Sequence, residues 1–230
     1  HNSITIDGGT GKNMALTGTS IKHAAIWNFA GSPLSGSTFI SLKIHDVGSP
    51  NSVEGIGIKI GGNSIAYTNY TISWNIITNC YSAGIKISGN GTSNIDIHHN
   101  TLEGNGPLPG ERCQVNLSSN DGAGVQNVYF HDNIVRNAGP ASNGINCNNA
   151  NNYIYSNLIS GNPGYGISLS PNYNTNYSGI TRIYNNTISD NTGDYGIAIG
   201  SSDSSRHARV YNNLIVNNGS YEVNLMSGAS

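Results

Sequence analysis

The sequence predicts an all-β fold, a three-sided parallel β-helix of about eight coils. Two observations predict it: a motif that returns seven times, and a spacing that fits one coil. Each copy has an apolar residue, a polar stretch that usually ends in Asn, and then an alternating segment of the type Gly-Ile-x-Ile. These segments begin at Gly57, Gly84, Gln114, Gly144, Gly166, Gly196 and Glu222. Such a period of short strands is typical of a solenoid, in which each unit packs only on its neighbours.

The asparagines that end the polar stretches set the size of one coil. They follow one another at intervals of 25, 33, 24, 29 and 27 residues, at Asn75, Asn100, Asn133, Asn157, Asn186 and Asn213. Three short strands and their turns fit in that length. A helical repeat would need a 3.6-residue periodicity, which the chain lacks. No linker or change of composition divides residues 1–230, so we expect a single domain.

Alternation within each segment predicts which side chains face the core. In Gly-Ile-x-Ile the two apolar residues point inward and the residue between them points outward. One inward column should therefore contain Ile58, Ile85, Val115, Ile145, Ile167, Ile197 and Val223. Asn tolerates the left-handed backbone of a sharp corner, and its amide can bond to the Asn of the next coil. A second such ladder is predicted at Asn79, Asn105, Asn137, Asn162 and Asn191.

The low content of charged residues and the lack of long apolar runs bear on which partners the protein can bind. Charged residues make up 10% of the chain and the net charge is −2. There is no basic stripe with interleaved aromatic residues, so we expect no nucleic-acid partner. No apolar run approaches the ~20 residues of a membrane span, so we expect no membrane insertion. The scarcity of Lys and Cys, together with this fold, favours an extracellular or cell-surface location.

The end of the sequence predicts a continuation or a stacking partner. The chain stops just after the last Gly-Ile-x-Ile-type strand, and no capping helix is visible at either end. Uncapped coils expose unpaired strand edges, which associate readily. We therefore expect residues 1–230 to be a segment of a longer chain, or a unit that stacks end to end or on a neighbouring domain.

The outward face of the Gly-Ile-x-Ile strands carries a candidate site. Lys59, Lys86 and Arg112 fall on three successive coils and are three of only ten basic residues. Like charges one strand apart are unfavourable unless an anion offsets them. Adjacent lysines also favour loss of a proton from one of them, as a proton-abstracting base requires. The glycines Gly57, Gly84 and Gly144 beside them predict a shallow trough for a sugar chain.

The repeat resembles the right-handed parallel β-helix proteins of the pectin-lyase-like superfamily, over roughly residues 36–227. Lyases of that superfamily act on uronic-acid polymers with a Lys or Arg base, often with Ca²⁺. The resemblance implies Lys86 as the base and Arg112 as the acid or charge stabiliser. It also implies substrate binding by Lys59 and its neighbours in the aligned strands, and Ca²⁺ at nearby carboxylates. The candidate binding residues are Lys59, Gln114, Asn116 and Asn146, and the candidate Ca²⁺ ligands are Glu54 and Glu111.

The resemblance does not decide between catalysis and structure, because the superfamily also includes hydrolases, epimerases, adhesins and inert spacers. The paired carboxylates of its hydrolases and the Asp-Pro-His element of its alginate epimerases are absent from this sequence. Two hypotheses stay open. One is a lyase that acts by β-elimination on an acidic polysaccharide. The other is a non-catalytic structural or adhesive β-helix of a surface or filamentous assembly.

A second candidate patch lies on another face. One outward position of successive coils is predicted to hold His45, Ser73, His98, His131, Tyr155, Tyr184 and Tyr211. His98 and His131, with His99 and Asp132 beside them, could bind Zn²⁺ or relay protons. Because tyrosines continue the column, it is also typical of an aromatic ladder that covers a flat sheet. The tyrosines could instead form a platform on which sugar rings stack.

Overall fold

The computed structural model describes residues 3–12, 14–28, 35–50, 52, 54–62, 65–107, 113–118, 124–148, 151–169, 179–200 and 206–225. Within these residues the chain forms 24 strands and no helix. The strands follow one another in groups of three, and each group is one coil. None of the described residues belongs to a helix that could cross a membrane.

The strands are short and numbered in chain order. Coils 1 to 4 contain β1 (Thr5–Asp7), β2 (Ala15–Gly18), β3 (Ala24–Asn28), β4 (Thr38–Ile40), β5 (Lys43–Val47), β6 (Ile56–Ile60), β7 (Thr68–Ser73), β8 (Ile76–Thr78), β9 (Ala83–Ile87), β10 (Ser93–His98), β11 (Thr101–Glu103) and β12 (Cys113–Leu117). Coils 5 to 8 contain β13 (Gln126–His131), β14 (Ile134–Arg136), β15 (Asn143–Cys147), β16 (Tyr153–Tyr155), β17 (Leu158–Ser160), β18 (Ile167–Leu169), β19 (Gly179–Tyr184), β20 (Thr187–Ser189), β21 (Tyr195–Ile199), β22 (Arg206–Tyr211), β23 (Leu214–Val216) and β24 (Tyr221–Leu225).

Three parallel sheets run the length of the described chain. The first strands of the coils (β1, β4 and so on to β22) form sheet A, the second strands (β2 to β23) form sheet B, and the third strands (β3 to β24) form sheet C. Each sheet has eight strands, and each strand pairs with its equivalents in the neighbouring coils. This confirms the predicted three-sided parallel β-helix, and all seven Gly-Ile-x-Ile-type segments lie in sheet C.

Sheet C carries the inward apolar column that the sequence predicted. Ile145, for example, pairs with Val115 on one side and Ile167 on the other. The predicted members are fully buried except Val223, which lies on the last described coil. Ile26 extends the column into coil 1. This column is thus a stack of aliphatic side chains in which each coil buries its layer against the next.

The anchoring asparagines form a continuous hydrogen-bonded ladder between sheets A and B. Asn133 is buried, and its Nδ2 donates to Asn157 Oδ1 at 3.1 Å and to the Ile97 carbonyl at 2.9 Å. Its Oδ1 accepts from the Asn100 backbone N–H at 2.9 Å. The same pattern links each anchoring asparagine to the next, from Asn75 to Asn213. The predicted direction of these side chains, into the coil stack, is confirmed.

The left-handed backbone of this corner belongs to the residue before each anchoring asparagine, which corrects the prediction. Trp74, Asp132 and Asn185 have φ values of 58°, 53° and 56°, whereas no anchoring asparagine has a positive φ. The reason is directional. The side chain of the left-handed residue points outward at the bend, and the side chain of the next residue points inward, toward the neighbouring coils. An asparagine must occupy that following position to bond within the stack.

The second ladder, which follows the strands of sheet B, was predicted with two wrong members. Asn79 and Asn137 have φ values of 54° and 51° and are exposed, so they are the left-handed residues of their corners. The ladder positions after them belong to Cys80 and Ala138, which carry no amide. The members that bond through buried side-chain amides are Asn105, Asn162, Asn191 and Asn218.

Candidate functional site

The outward row of sheet C places the predicted lysines side by side. Lys59 pairs in register with Lys86, Lys86 with Asn116, and Asn116 with Asn146. Trp27 of coil 1 pairs with Lys59 on the other side. Sequence reasoning missed Trp27, although its alternating segment, Ala24–Asn28, has the same pattern as its partners. The row is mostly covered: Lys59 and Asn116 are buried, and Lys86 and Asn146 are partly exposed.

Lys59 is closed into a local cluster. Its Nζ donates to both carboxylate oxygens of Glu54, at 2.6 and 2.7 Å, and lies 4.6 Å from the centroid of the Trp27 ring. The His23 ring packs against that indole with its centroid 4.9 Å away and its plane tilted by 34°, and His23 Nδ1 lies 3.4 Å from Glu54 Oε2. Because Lys59 is only 8% exposed and already bound to Glu54, its predicted role as a binding group for a substrate carboxylate is not supported.

The cluster makes a pH-dependent contribution to stability. Burial raises the pKa of Glu54, but the hydrogen bonds and charge of Lys59, the charge of Lys86 and the nearby His23 outweigh burial and lower this pKa below the ordinary value of a glutamate. A carboxyl with a depressed folded-state pKa stabilises the fold above its unfolded pKa, and this contribution is lost as pH falls through the folded value.

Replacing Glu54 with glutamine should therefore lower the melting temperature at pH 7, and the difference from the parent should shrink below pH 4.5. Thermal melts between pH 3 and pH 7 measure this. Asp190→Asn is the control, because Asp190 is an exposed left-handed residue at a position that asparagine tolerates. A Glu54→Gln melting curve that tracks the control at every pH would contradict the role of the cluster.

Of the two predicted Ca²⁺ ligands, the structure describes only Glu54. Both oxygens of Glu54 bind Lys59, so this carboxylate has little capacity left for a cation. Glu111 and the predicted catalytic residue Arg112 lie outside the described residues. No group of three or more His, Cys, Asp or Glu side chains within the described ranges is arranged to hold a metal ion.

Gln114 belongs to the packing of the fold, which corrects its predicted role in substrate binding. Its side chain is fully buried: Oε1 accepts from Asn105 Nδ2 at 2.5 Å, and Nε2 donates to the Arg136 carbonyl at 2.5 Å. The next coil has Ala138 at the ladder position, so no asparagine amide is available there. Gln114 supplies the missing amide from the neighbouring strand, and it therefore continues the second ladder.

The glycines beside this row do not form a trough, contrary to the prediction. A Cβ added to Gly144 would lie 2.6 Å from the Gly166 carbonyl oxygen, 2.9 Å from Ile159 Cγ2 and 3.0 Å from Asn162 Nδ2. Gly57 and Gly84 are equally crowded. Glycine is needed here because the second asparagine ladder packs against this column from inside the corner.

The remaining predicted residues of sheet C are held by local polar contacts. Asn116 Oδ1 accepts a short hydrogen bond from Ser118 Oγ, and Asn146 Oδ1 accepts from Asn143 Nδ2 at 2.8 Å. Lys86 is partly exposed and contributes to the low pKa of Glu54. Of the two predicted lysines, Lys59 is buried and Lys86 is partly exposed, so Lys86 is better placed to contact a ligand.

Sheet A carries the aromatic ladder on its outer face. His98, His131, Tyr155, Tyr184 and Tyr211 stack in one column, with ring centroids 5.2, 4.7, 5.0 and 5.0 Å apart. Their planes are within 13° of parallel at every step. The interpretation as an aromatic ladder is confirmed from His98 onward.

His45 is not part of this column, which corrects the sequence alignment. It lies on β5 in sheet B, where it pairs with Thr17 and Thr78. The sheet A position of coil 2 is taken by Ile40, which pairs with Ser73. The first copy of the motif matches the others less closely. Its Ile-His-Asp-Val segment has a sequence like that of the sheet A strands, but it belongs to sheet B.

The histidines of the ladder are bound by their neighbours. His131 Nε2 lies 3.0 Å from Asp96 Oδ1, and His131 Nδ1 lies 2.7 Å from Asp132 Oδ2. His98 Nδ1 lies 2.9 Å from His99 Nδ1. Burial, aided by His131 and His99, lowers the pKa of His98 against the pull of Asp96. A metal ligand needs a free nitrogen lone pair, so the contacts of His131 favour the ladder over a zinc site.

A second outward row lies two residues before the ladder and was missed by the sequence analysis. It consists of Asp96, Tyr129, Tyr153, Arg182 and Arg209, each in register with the next. Tyr129 and Tyr153 stack at 4.9 Å and 10°. The signal was present, because every ladder residue from His98 onward has a charged or aromatic residue two positions upstream. Sheet A thus presents two adjacent rows of rings and charges.

Trp74 is an exposed ring at the edge of this face. It is 47% exposed at the left-handed corner between sheets A and B, and one face of its indole stacks on His99 at 4.2 Å and 21°. The equivalent corner position of the preceding coil is Ser41, which also has a positive φ. Serine is too small to stack on an indole as His99 does, and Trp74 is 47% exposed.

This chain is similar in structure to a solved enzyme module. No protein-family model matches the chain, and no curated protein matches it. Among solved structures, the A-module of a mannuronan C-5 epimerase from Azotobacter vinelandii is similar at 14% sequence identity and a TM-score of 0.36. The similarity covers 96% of this chain and 72% of that one. At this identity and TM-score it bears on neither substrate nor mechanism.

Proposed function

We propose that this protein is an extracellular or cell-surface β-helix that binds polysaccharide on the outer face of sheet A. The observation that supports the proposal is the indole of Trp74, which is 47% exposed beside two rows of polar and aromatic side chains. An exposed tryptophan offers a large, rigid apolar surface at low entropic cost. The CH face of a sugar ring is a natural partner for such a surface.

The stacking geometry limits where a sugar ring can pack. Inside the ladder both faces of Tyr155 are covered, by His131 and by Tyr184, so these rings offer only their edges and hydroxyl groups. Open ring faces occur where a stack ends. Tyr129, at 38% exposure, ends the second row beside Asp96, and Trp74 ends the corner stack. The face therefore combines a few stacking positions with a continuous row of hydrogen-bonding edges.

Replacing Trp74 with asparagine tests the proposal without disturbing the corner. Asparagine occupies the equivalent left-handed position in coils 7 and 8, at Asn185 and Asn212. The substitution should weaken polysaccharide binding about tenfold, since a lost aromatic stacking contact is worth up to about 1.5 kcal/mol. Titration calorimetry against pectate, alginate and glycosaminoglycans measures the affinity.

Two further variants make this experiment specific. The chain has two tryptophans, so Trp27→Phe leaves Trp74 as the single indole, and bound glycan should change its fluorescence. Lys86→Met removes the partly exposed lysine of sheet C and should leave the affinity unchanged. Binding that survives Trp74→Asn but is lost in Lys86→Met would move the site to sheet C. Absence of binding to every polysaccharide would favour the structural or adhesive spacer.

A lyase centre on sheet C is a second candidate, favoured by one observation. The strand register places Lys86 directly between Lys59 and Asn116. In a β-elimination, Lys86 would take the proton next to the substrate carboxylate, as the superfamily resemblance implies. Absorbance of the unsaturated product upon incubation with pectate, alginate or glycosaminoglycans tests this activity. Lys86→Ala should abolish the signal while the melting temperature stays nearly unchanged.

A further inference from the structure

Two arginines occupy adjacent positions at one end of the second row of sheet A. Arg182 of β19 and Arg209 of β22 are direct partners in the parallel register, one strand spacing (~4.8 Å) apart. The guanidinium carbon of Arg182 lies 5.1 Å from the centroid of the Tyr153 ring, and its Nη1 donates to the Ile180 carbonyl at 3.1 Å. The Arg182 guanidinium therefore lies over the Tyr153 ring, and Arg209, which is exposed, occupies the same position on the next strand.

No carboxylate among the described residues neutralises this pair of positive charges. Neither guanidinium forms an ion pair with a carboxylate in the part of the chain that the structure describes. Asp96, the acidic member of the same row, lies three strand spacings from Arg182, roughly 14 Å along the axis. Arginine stays charged at every physiological pH, and like charges on directly opposed strand positions destabilise a sheet.

We infer that Arg182 and Arg209 form an anion-binding pair that recognises the carboxylate or sulfate groups of an acidic polysaccharide. The inference rests on the proposed function. It specifies an acidic glycan as the ligand and the arginine end of sheet A as the part that binds its charged groups. A planar guanidinium binds an oxyanion through two parallel N–H donors. An anionic group seated on both arginines would offset the repulsion that the strand register imposes.

The neighbouring column suits the same ligand. Tyr184 and Tyr211 lie two residues after the arginines on the same strands and stack at 5.0 Å with parallel rings. Tyr211 is 43% exposed, so its hydroxyl and ring edge are available beside the exposed Arg209. Asp96 and Asp132 lie toward the opposite end of the face. A bound acidic chain should therefore place its charged groups at coils 7 and 8, away from these carboxylates.

The test compares one polymer with and without its charge. Pectate and highly methyl-esterified pectin share a backbone, but the ester removes the carboxylate charge. Arg182→Gln and Arg209→Gln should each weaken pectate binding about tenfold or more at low salt, with little effect on esterified pectin. Arg209→Lys, which keeps the charge but lacks the planar fork, should recover only part of the affinity. Chondroitin sulfate in place of pectate shows whether sulfate is accepted as well.

Arg136→Gln is the matched control, because it removes the same charge from sheet B, where Arg136 is paired with Glu103 at 3.0 Å. This variant should bind pectate as the parent does. Equal losses in Arg136→Gln and Arg209→Gln, or no loss in either Arg182→Gln or Arg209→Gln, would overturn the inference. If Trp74→Asn weakens binding while both sheet A arginine variants bind normally, the proposed function stands and the anion-binding pair fails. Failure of the parent protein to bind any acidic polysaccharide overturns the inference as well.

Discussion

Replacing Ile145 with alanine is expected to lower the free energy of unfolding by about 2–5 kcal/mol. Ile145 is fully buried in the middle of sheet C, between Val115 and Ile167 of the adjacent coils. The loss has two sources, the hydrophobic burial of the removed atoms and the cavity that remains. The cavity should persist because the coils above and below are held in register by backbone ladders and cannot collapse into it. Urea denaturation monitored by circular dichroism measures the difference.

Ile134→Ala is the control for this experiment. Ile134 is the same residue type on the outer face of sheet B in the same coil, and it is 37% exposed. Because much of its side chain already contacts water, its truncation should cost less than about 1 kcal/mol. Equal destabilisation by the two variants would contradict the assignment of Ile145 to the core and of Ile134 to the surface.

The three-sheet architecture could be predicted because it depends on local patterns that repeat. Alternation places Ile145 and its equivalents inside, and the parallel register carries each inward residue onto the next coil. The anchoring asparagines were predicted for the same reason: a buried amide has few ways to satisfy its hydrogen bonds, and an identical amide one coil away is one of them. These features follow from strand geometry and need no knowledge of distant contacts.

The surroundings of the outward side chains could not be predicted in the same way. Alternation correctly places Lys59 outside, but it does not show that Glu54 approaches it or that Trp27 covers it. The role of Gln114 was equally hidden. Its amide bonds to Asn105 and to the Arg136 carbonyl, where the next coil has Ala138 and therefore offers no ladder amide. Exposure on a solenoid is set by side-chain reach and by neighbouring corners, so the strand pattern alone overestimates it.

These differences change which face is the better candidate for binding. On sheet C, Lys59 and Gln114 are buried by contacts within the fold. On sheet A and at its edge, Arg209 and Trp74 are exposed. The sheet A ladder was visible in the sequence as a column of His and Tyr, and the structure adds that its rings hide one another's faces. Binding specificity on this face should therefore come from the exposed rings of Trp74 and Tyr129 and from the two arginines of coils 7 and 8.

Replacing Asn133 with alanine is expected to lower the free energy of unfolding by about 2–4 kcal/mol. The Asn133 amide accepts from the Asn100 backbone N–H at 2.9 Å and donates to the Ile97 carbonyl at 2.9 Å. Without it these two buried backbone groups lose a side-chain partner, and a buried polar group left unpaired costs about 1–3 kcal/mol. The bond to Asn157 Oδ1 is lost too, which interrupts the ladder between coils 5 and 6.

The matched control is Asn185→Gly, at the same kind of corner two coils further along. Asn185 is exposed and has φ 56°, a backbone conformation that glycine adopts without strain, so this variant should lose no more than about 1 kcal/mol. Urea denaturation of both variants, with amide hydrogen exchange at Asn100, separates the two positions. Exchange at Asn100 should accelerate in Asn133→Ala and stay as in the parent in Asn185→Gly. If the two variants lose the same stability, corner asparagines act through backbone conformation, and the ladder contributes nothing of its own.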